Sequence, residues 1–333
     1  MSTAELLSND FEQSILRETL LNEVVAGLSQ PQKRMNPKFF YNELGSKLFD
    51  EICKQPEYYP TRVENVILQD YANDMAELLG QPDILIEYGS GTSQKVEILL
   101  DRLPELSAYV PIEISKETLL QSSERLRAKY TKLKVIPICA DFTTGLELPL
   151  FHISKSTVKP AGKLLKRVAF FPGSTLGNFE SQAAKRFLID ATDHVGWKGG
   201  LLVGIDLKKD PAILESAYND AEGLTARFNL NLLTHLNLLF ESDFDLNGFY
   251  HRAVYNKNFG RVEMHLVSNR EQMVHLGGME LGFKKWETIH TESSYKYSLE
   301  DFYLLAEKSG FHPIKTWTDP EKLFSVHYLE VTE

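Results

Sequence analysis

Cysteine is almost missing from this chain: among 333 residues there are two, Cys53 and Cys139, far apart in sequence. That pair can build neither a disulfide scaffold nor a cysteine-rich zinc site, and such usage suits a reducing compartment. Dense runs of Lys or Arg are also missing, and the formal net charge is -10. A nucleic-acid reader needs a basic footprint to displace counterions, so the expected partner is a small molecule and not DNA or RNA. No apolar run approaches the roughly 20 residues a membrane helix requires. The first residues, Met1-Ser2-Thr3-Ala4-Glu5, carry acid where a signal peptide carries base. These absences predict a cytoplasmic protein with no membrane partner. His251, His265 and His290 lack ligand spacing with one another or with nearby acids, so no metal is expected and all three read as ordinary surface or core residues.

What remains is the composition of an ordinary globular protein, 43% hydrophobic and 25% charged, which leaves ample material for a core. Residues 10 to 30 read as a helix with Phe11, Ile15, Leu16, Leu20 and Val24 or Val25 on one face. An aromatic- and Pro-rich stretch follows from Pro37 to Arg62. From about residue 83 short apolar strands alternate with amphipathic helices: strands at Ile84–Ile86, Tyr109–Ile114, Val135–Cys139, Arg167–Phe171 and Leu201–Ile205, with Ser115 placed to cap a helix running to about Tyr130. Such βα alternation implies a parallel sheet covered on both faces. Beyond residue 208 the alternation stops. Helical segments at 211 to 241 lead to antiparallel-looking strands at Arg261–Val267 and Glu287–Thr291. Ser298-Leu299-Glu300-Asp301 then opens a capped helix, and strands at His312–Trp317 and Phe324–Val331 return to the sheet. The fold class is therefore α/β: a Rossmann-like sheet from 63–208 and 295–333, with a discontinuous α+β second domain from 1–62 and 209–294 over its ligand edge.

Ligands of such sheets sit beyond the carboxyl ends of the strands. After the first strand comes Glu87-Tyr88-Gly89-Ser90-Gly91-Thr92-Ser93-Gln94-Lys95. The two glycines allow backbone to approach a ligand, but a dinucleotide fingerprint would put a third glycine where Gln94 stands. A nucleoside without phosphates fits better, although a plain tight turn has the same look. Glu113, ending the second strand, can accept from two ribose hydroxyls, and Asp141-Phe142 after the third offers an acceptor and a ring for an adenine. Each acid alone could be mere surface; their order after successive strands is what argues for a site. The loop Gly173-Ser174-Thr175-Leu176-Gly177-Asn178 has no Lys and is not a phosphate loop. Asn178 offers both a donor and an acceptor for an amino acid's amine and carboxylate, or else caps the next helix.

Phe40-Tyr41-Asn42-Glu43-Leu44-Gly45-Ser46, Pro56-Glu57-Tyr58-Tyr59-Pro60-Thr61-Arg62, the loop 173–178, Phe228-Asn229-Leu230-Asn231 and Thr291-Glu292-Ser293-Ser294 occur in this order along the chain. In these motifs, from about residue 33 to 330, the chain resembles the histidine-specific Nα-methyltransferases of ergothioneine biosynthesis. The resemblance implies a class I methyltransferase sheet with a substrate domain. It also implies S-adenosylmethionine as methyl donor, and conversion of L-histidine to Nα,Nα,Nα-trimethylhistidine (hercynine); the chain is expected to be a monomer. Carried over residue by residue, it assigns Gly89, Lys95, Glu113, Asp141 and Phe142 to the cofactor. Tyr41 would lie at the transferring methyl, and Tyr58, Asn178 and Tyr218 would hold the amino and carboxylate groups. Thr225, Met264, Glu292, Ser294 and Phe49 would form the side-chain pocket, with Glu292 and Ser294 reading the imidazole. Glu113 stands where the family pattern leads one to expect Asp, and either carboxylate can make the bonds.

Two apart in a strand, Glu292 and Ser294 share a face, whereas Tyr58, Tyr218 and Met264 would serve equally as core packing. Relatives in the same superfamily act on tryptophan derivatives, and Glu292 with Met264 favours histidine over these. The rival readings are methylation of another amino acid and a module that binds cofactor or histidine without turnover.

Overall fold

A computed structural model of the chain describes residues 3–143, 145, 146, 148 and 165–332. Contacts divide the chain into two compact units, one formed by 1–58 and 210–293, the other by 59–209 and 294–333. In chain order the described elements begin with α1 (Thr3–Leu28), β1 (Lys33–Arg34) and α2 (Glu43–Ile52). Next come α3 (Tyr59–Asp70), α4 (Ala72–Leu79), β2 (Ile84–Tyr88), α5 (Gln94–Leu100), β3 (Ala108–Glu113), α6 (Lys116–Lys129), β4 (Lys134–Val135) and β5 (Ile138–Cys139). Then follow β6 (Arg167–Phe171), α7 (Ser181–Val195), β7 (Gly200–Asp206), α8 (Pro211–Ala217) and α9 (Leu224–Phe240). The last are β8 (Phe249–Asn256), β9 (Arg261–Ser268), β10 (Gln272–Leu276), β11 (Met279–Phe283), β12 (Thr288–Tyr295), α10 (Leu299–Glu307), β13 (His312–Thr318) and β14 (Phe324–Glu330).

The second unit is the α/β one. Its sheet runs β13-β14-β7-β6-β2-β3-β4, with β5 continuing beside β3. Strands β2, β3, β4, β6 and β7 pair in parallel, while β14 inserts antiparallel to both β7 and β13. Strict alternation sends side chains to two separate cores. Ile84, Ile86, Val110, Ala169, Phe171, Leu201 and Val203 join one face with α7 and α10. Leu85, Tyr109, Val168, Phe170 and Leu202 join the other with α3, α4 and α5. Every residue of β2 and β7 is buried, which is why Ile84–Ile86 and Leu201–Ile205 within them read as buried strands. The predicted third strand is broken in two because Pro137 has no N–H for the ladder. Ser115 caps α6 through Thr118, and Ser298 with Asp301 forms a complete capping box on α10.

The first unit carries the sheet β1-β12-β9-β8 and the separate hairpin β10-β11. Helix α9 packs on α2, β8 and β9. Of the apolar stripe predicted for α1, Val24 is buried but Ile15 is 49% exposed, so the stripe does not extend that far back. The stretch 37–62, unassigned from sequence, folds as a 3-10 turn (37–40), α2 and the start of α3. Helix α2 starts where the Asn42 side chain accepts from the Gly45 N–H at 2.7 Å. Tyr59–Arg62 belongs to the second unit, where the Tyr59 hydroxyl donates to Asp206 at 2.7 Å.

Candidate active site

In the second unit the loop after β2 is shaped by Gly89 and Gly91, at φ +64° and +47°. A Cβ at Gly89 would come within 3.4 Å of the Phe142 ring, whereas at Gly91 the space is open. The carboxylate of Glu113 closes this loop, accepting from the Gly91 N–H at 2.9 Å and the Ser115 N–H at 3.0 Å. Beside it the Ser90 hydroxyl is buried without a hydrogen-bond partner among the described residues. Asp141 turns on itself, accepting from the N–H and hydroxyl of Thr143 at 2.9 and 2.6 Å. Phe142 packs edge-on against Phe171 and Phe187 and tilted against Tyr88. Two serines, Ser93 and Ser174, hold positive φ at 54° and 55°, one in each glycine-bearing loop. Non-glycine residues in that region store strain, which concentrates at ligand loops.

Behind the first loop Glu87 is fully buried and bonded by the Tyr109 hydroxyl. Burial pushes its carboxyl up to about 8, against the pull of that bond. Lys95 donates to Glu64 at 2.5 Å, and the same carboxylate accepts from the Gly173 N–H at 2.8 and 2.9 Å. Glu64 thus ties both glycine loops to α3. At the end of β7, Asp206 holds Lys209 at 2.5 Å and Lys296 at 2.7 Å, all three side chains no more than 6% exposed. Lys296 in turn donates to Ser294 Oγ at 2.9 Å. Burial lowers Lys209 to about 8 despite the Asp206 carboxylate beside it. Asn178 ends the 3-10 turn at 175–178 and is half-buried; Glu180, which makes no side-chain cap bond, holds the N-cap position of the following helix, so the capping role offered for Asn178 falls away.

In the first unit four predicted residues form one edge-to-face series: Tyr41 to Phe49 at 6.1 Å, Phe49 to Tyr58 at 6.2 Å, Tyr58 to Tyr218 at 6.1 Å. Phe228 braces it, touching Tyr41 and Phe49 at 5.9 and 6.0 Å. Burial drives the Tyr58 phenol well above its ordinary pKa, with Tyr218, Cys53, Glu292 and Tyr41 adding to the effect. Glu292 is therefore an electrostatic neighbour of the series. Thr225 is buried at the start of α9 with its N–H on Asp220 at 2.7 Å. Its hydroxyl lies beside that carboxylate without a bond of good geometry. Met264 is 2% exposed within β9. Glu292 and Ser294 lie two apart on β12, the first half-buried and the second buried. Among the described residues no cluster of His, Cys, Asp and Glu could hold a metal ion, and no helix is long and apolar enough to cross a membrane.

A family profile described as histidine-specific methyltransferase, SAM-dependent, matches residues 20–331. The chain belongs to that family. A histidine N-alpha-methyltransferase of Mycobacterium tuberculosis is 35% identical over 96% of this chain and 96% of its own length. The Mycolicibacterium smegmatis enzyme of the same name is 34% identical over 94% and 95%. More distant is a 4-dimethylallyltryptophan N-methyltransferase of Claviceps purpurea, 25% identical over 93% and 94%. This methyltransferase is thus an enzyme with a class I sheet, the sixth and seventh strands being β13 and the inserted antiparallel β14.

Three supporting residues of the methyltransferase were missed from sequence: Glu64, Asp206 and Lys296. Glu64 had a legible signal. With Ile67 and Leu68 it lies on the buried face of α3, a charge where helical period calls for an apolar side chain. Lys296 and Asp206 had none, since their pairing joins residues 90 apart in the chain.

Proposed function

We propose that this enzyme transfers three methyl groups from S-adenosylmethionine to the α-amino nitrogen of L-histidine, giving hercynine for ergothioneine biosynthesis. The observation that carries the substrate reading is the aromatic series Tyr41–Phe49–Tyr58–Tyr218 beside the Glu292 carboxylate. Aromatic faces tolerate an amine that becomes a quaternary cation, and a carboxylate accepts from an imidazole N–H. Two relatives that match nearly the whole chain, at 34% and 35% identity, are named histidine N-alpha-methyltransferase.

The residues of the second unit suit a phosphate-free nucleoside. Glu113 is an acceptor already oriented by two backbone N–H groups, Gly91 leaves open space, Ser90 has an unused hydroxyl, and Lys95 is engaged by Glu64 and not aimed at a phosphate. S-adenosylmethionine supplies an electrophilic methyl on a sulfonium. The protein's task is orientation of a neutral amine, which is worth on the order of 7 to 11 kcal/mol. Free α-amino groups titrate near about 8, so a usable fraction is neutral without a dedicated base. Tyr58, whose phenol stays protonated, acts with Asn178 and Tyr218 as a hydrogen-bonding partner to the amine and carboxylate. Glu292 and Ser294 read the ring, with Thr225, Met264 and Phe49 lining it. Gly89, Asp141 and Phe142 complete the nucleoside contacts.

Incubation with S-adenosylmethionine and a panel of free amino acids, read by mass spectrometry, tests this. Histidine should gain one, two and then three methyls. Methylation of tryptophan or a derivative in preference would overturn the choice of acceptor, and cofactor binding with no methylated amino acid would overturn the activity.

A further inference from the structure

Sequence alone dismissed His251, yet its ring stands at the centre of a bond network whose branches end among the substrate residues proposed above. On β8, His251 Nε2 lies 2.8 Å from the Tyr218 carbonyl, and its Nδ1 lies 2.8 Å from Asn229 Nδ2. Asn229, fully buried on α9 one turn after Thr225, also donates from Nδ2 to the His265 carbonyl at 3.1 Å. Its Oδ1 accepts from the Thr291 hydroxyl at 2.8 Å, and that hydroxyl also lies 3.1 Å from the Met264 carbonyl. Thr291 directly precedes Glu292.

Proton accounting gives this network one direction. A carbonyl oxygen only accepts, so the amide face of Asn229 toward His265 must be its NH2. That NH2 then points its second hydrogen at His251 Nδ1, which must be the unprotonated nitrogen. The remaining proton of a neutral imidazole sits on Nε2 and is donated to Tyr218. The ring makes both of its bonds together only if His251 is neutral and in this one tautomer.

We infer that His251 is a positioning residue for the histidine half-site, setting the backbone at Tyr218 relative to Met264, Thr225 and Glu292 through Asn229 and Thr291. The inference rests on the functional reading above. Burial lowers the His251 pKa, opposed by its bond to the Tyr218 carbonyl and by Asp220, and reinforced by His265, so the ring is neutral at pH 7. The groups facing it are Asp220 and Asn229 from the α8–α9 segment and His265 on β9, whose own ring meets Glu263 at 3.4 Å.

Three measurements test it. Side-chain nitrogen NMR of the wild-type chain should show His251 as the Nε2–H tautomer from pH 7 upward; an Nδ1–H tautomer or an imidazolium there overturns the proposal. Calorimetry and kinetics on His251→Phe, which keeps the ring but neither bond, should show histidine affinity and KM worse by about tenfold, as expected for losing one or two net hydrogen bonds. S-Adenosylmethionine affinity should stay within about twofold and kcat should fall less than KM rises; a folded variant with wild-type histidine affinity overturns the idea. Asn229→Asp, which replaces the donor by a carboxylate, should turn His251 into an imidazolium visible by NMR and weaken histidine binding similarly. If His251→Phe does not fold, the wild-type tautomer and the Asn229→Asp signals still decide. A wild-type chain that binds no histidine overturns the functional reading, and this one with it.

Discussion

Replacing Glu64 should separate the two glycine loops. Its carboxylate, 1% exposed, takes the Lys95 ammonium at 2.5 Å and the Gly173 N–H at 2.8 and 2.9 Å. The packing is tight: a Cβ on Gly204 would stand 2.0 Å from Glu64 Oε1, so β7 admits only glycine there. Glu64→Gln keeps the shape and an acceptor for Gly173 but removes the ion pair. Breaking a buried pair costs about 3 to 5 kcal/mol. Lys95 is 22% exposed and can be partly rehydrated, so about 2 to 3 kcal/mol is expected here. Glu64→Ala also strands the Gly173 N–H and opens a void, bringing the loss to about 4 to 6 kcal/mol. In a unit of about 190 residues each kcal/mol shifts Tm by roughly 2 to 4 °C. The Gln variant should therefore melt roughly 5 to 10 °C early and the Ala variant about twice that. Calorimetry with and without S-adenosylmethionine identifies the relevant transition as the one the ligand raises. Equal losses for Gln and Ala, or none beyond about 1 °C in either, would refute the assignment of Glu64 as the tie between the loops.

Asp206→Asn leaves two buried ammonium groups without a counter-charge and should cost at least about 3 to 5 kcal/mol, while Lys296→Met leaves the Asp206–Lys209 pair intact and should cost less than about 2 kcal/mol. Comparable Tm losses for the two would show that charge balance is not what holds this cluster. Burial lowers His327, in the second unit, to about 3, and His290, in the first, to about 4, with His265 beside His290 adding to it. On acidification from pH 6.5 the unfolded chain takes up these protons first, so stability is fully present above 6.5 and lost below it. Each histidine should cost its unit about 2 kcal/mol at pH 5. Urea midpoints at pH 7 and 5 read this, and His327→Gln should reduce that slope in the second unit, where His194, also lowered by burial, keeps a share; a slope unchanged by the substitution would contradict it. Tyr41→Phe should slow methyl transfer, most at the third addition; three transfers at the normal rate would leave the Tyr41 hydroxyl without a chemical part.

The strands that read most clearly, Ile84–Tyr88 and Arg167–Phe171, are those with both faces buried, because a continuous apolar run needs no partner to be recognised. The capped starts of α6 and α10 were equally plain, since a cap is chemistry between neighbours. The hairpin β10-β11 and strand β8 went unseen. Their alternation is blurred by exposed Met273, Met279 and Tyr250, although each pairs with the adjacent strand across a short turn. Ile15 was placed on a buried face by period alone; period fixes which residues share a side, not whether anything packs there.

For the loops proposed to bear the ligands, residue order was enough to single out Gly89, Glu113, Asp141 and Asn178, because each lies at or soon after the carboxyl end of a strand and parallel connectivity sends those ends to one edge. Family membership too was written in the linear motifs. What the chain order could not contain is the company these residues keep: the four-ring series from Tyr41 to Tyr218, Glu64 between two loops, Lys296 on Ser294, and the proton order through His251. Most of those depend on distances between residues far apart in the chain, such as Tyr58 with Tyr218, Glu64 with Lys95 and Tyr218 with His251, and on protonation states that only desolvation by the folded chain imposes.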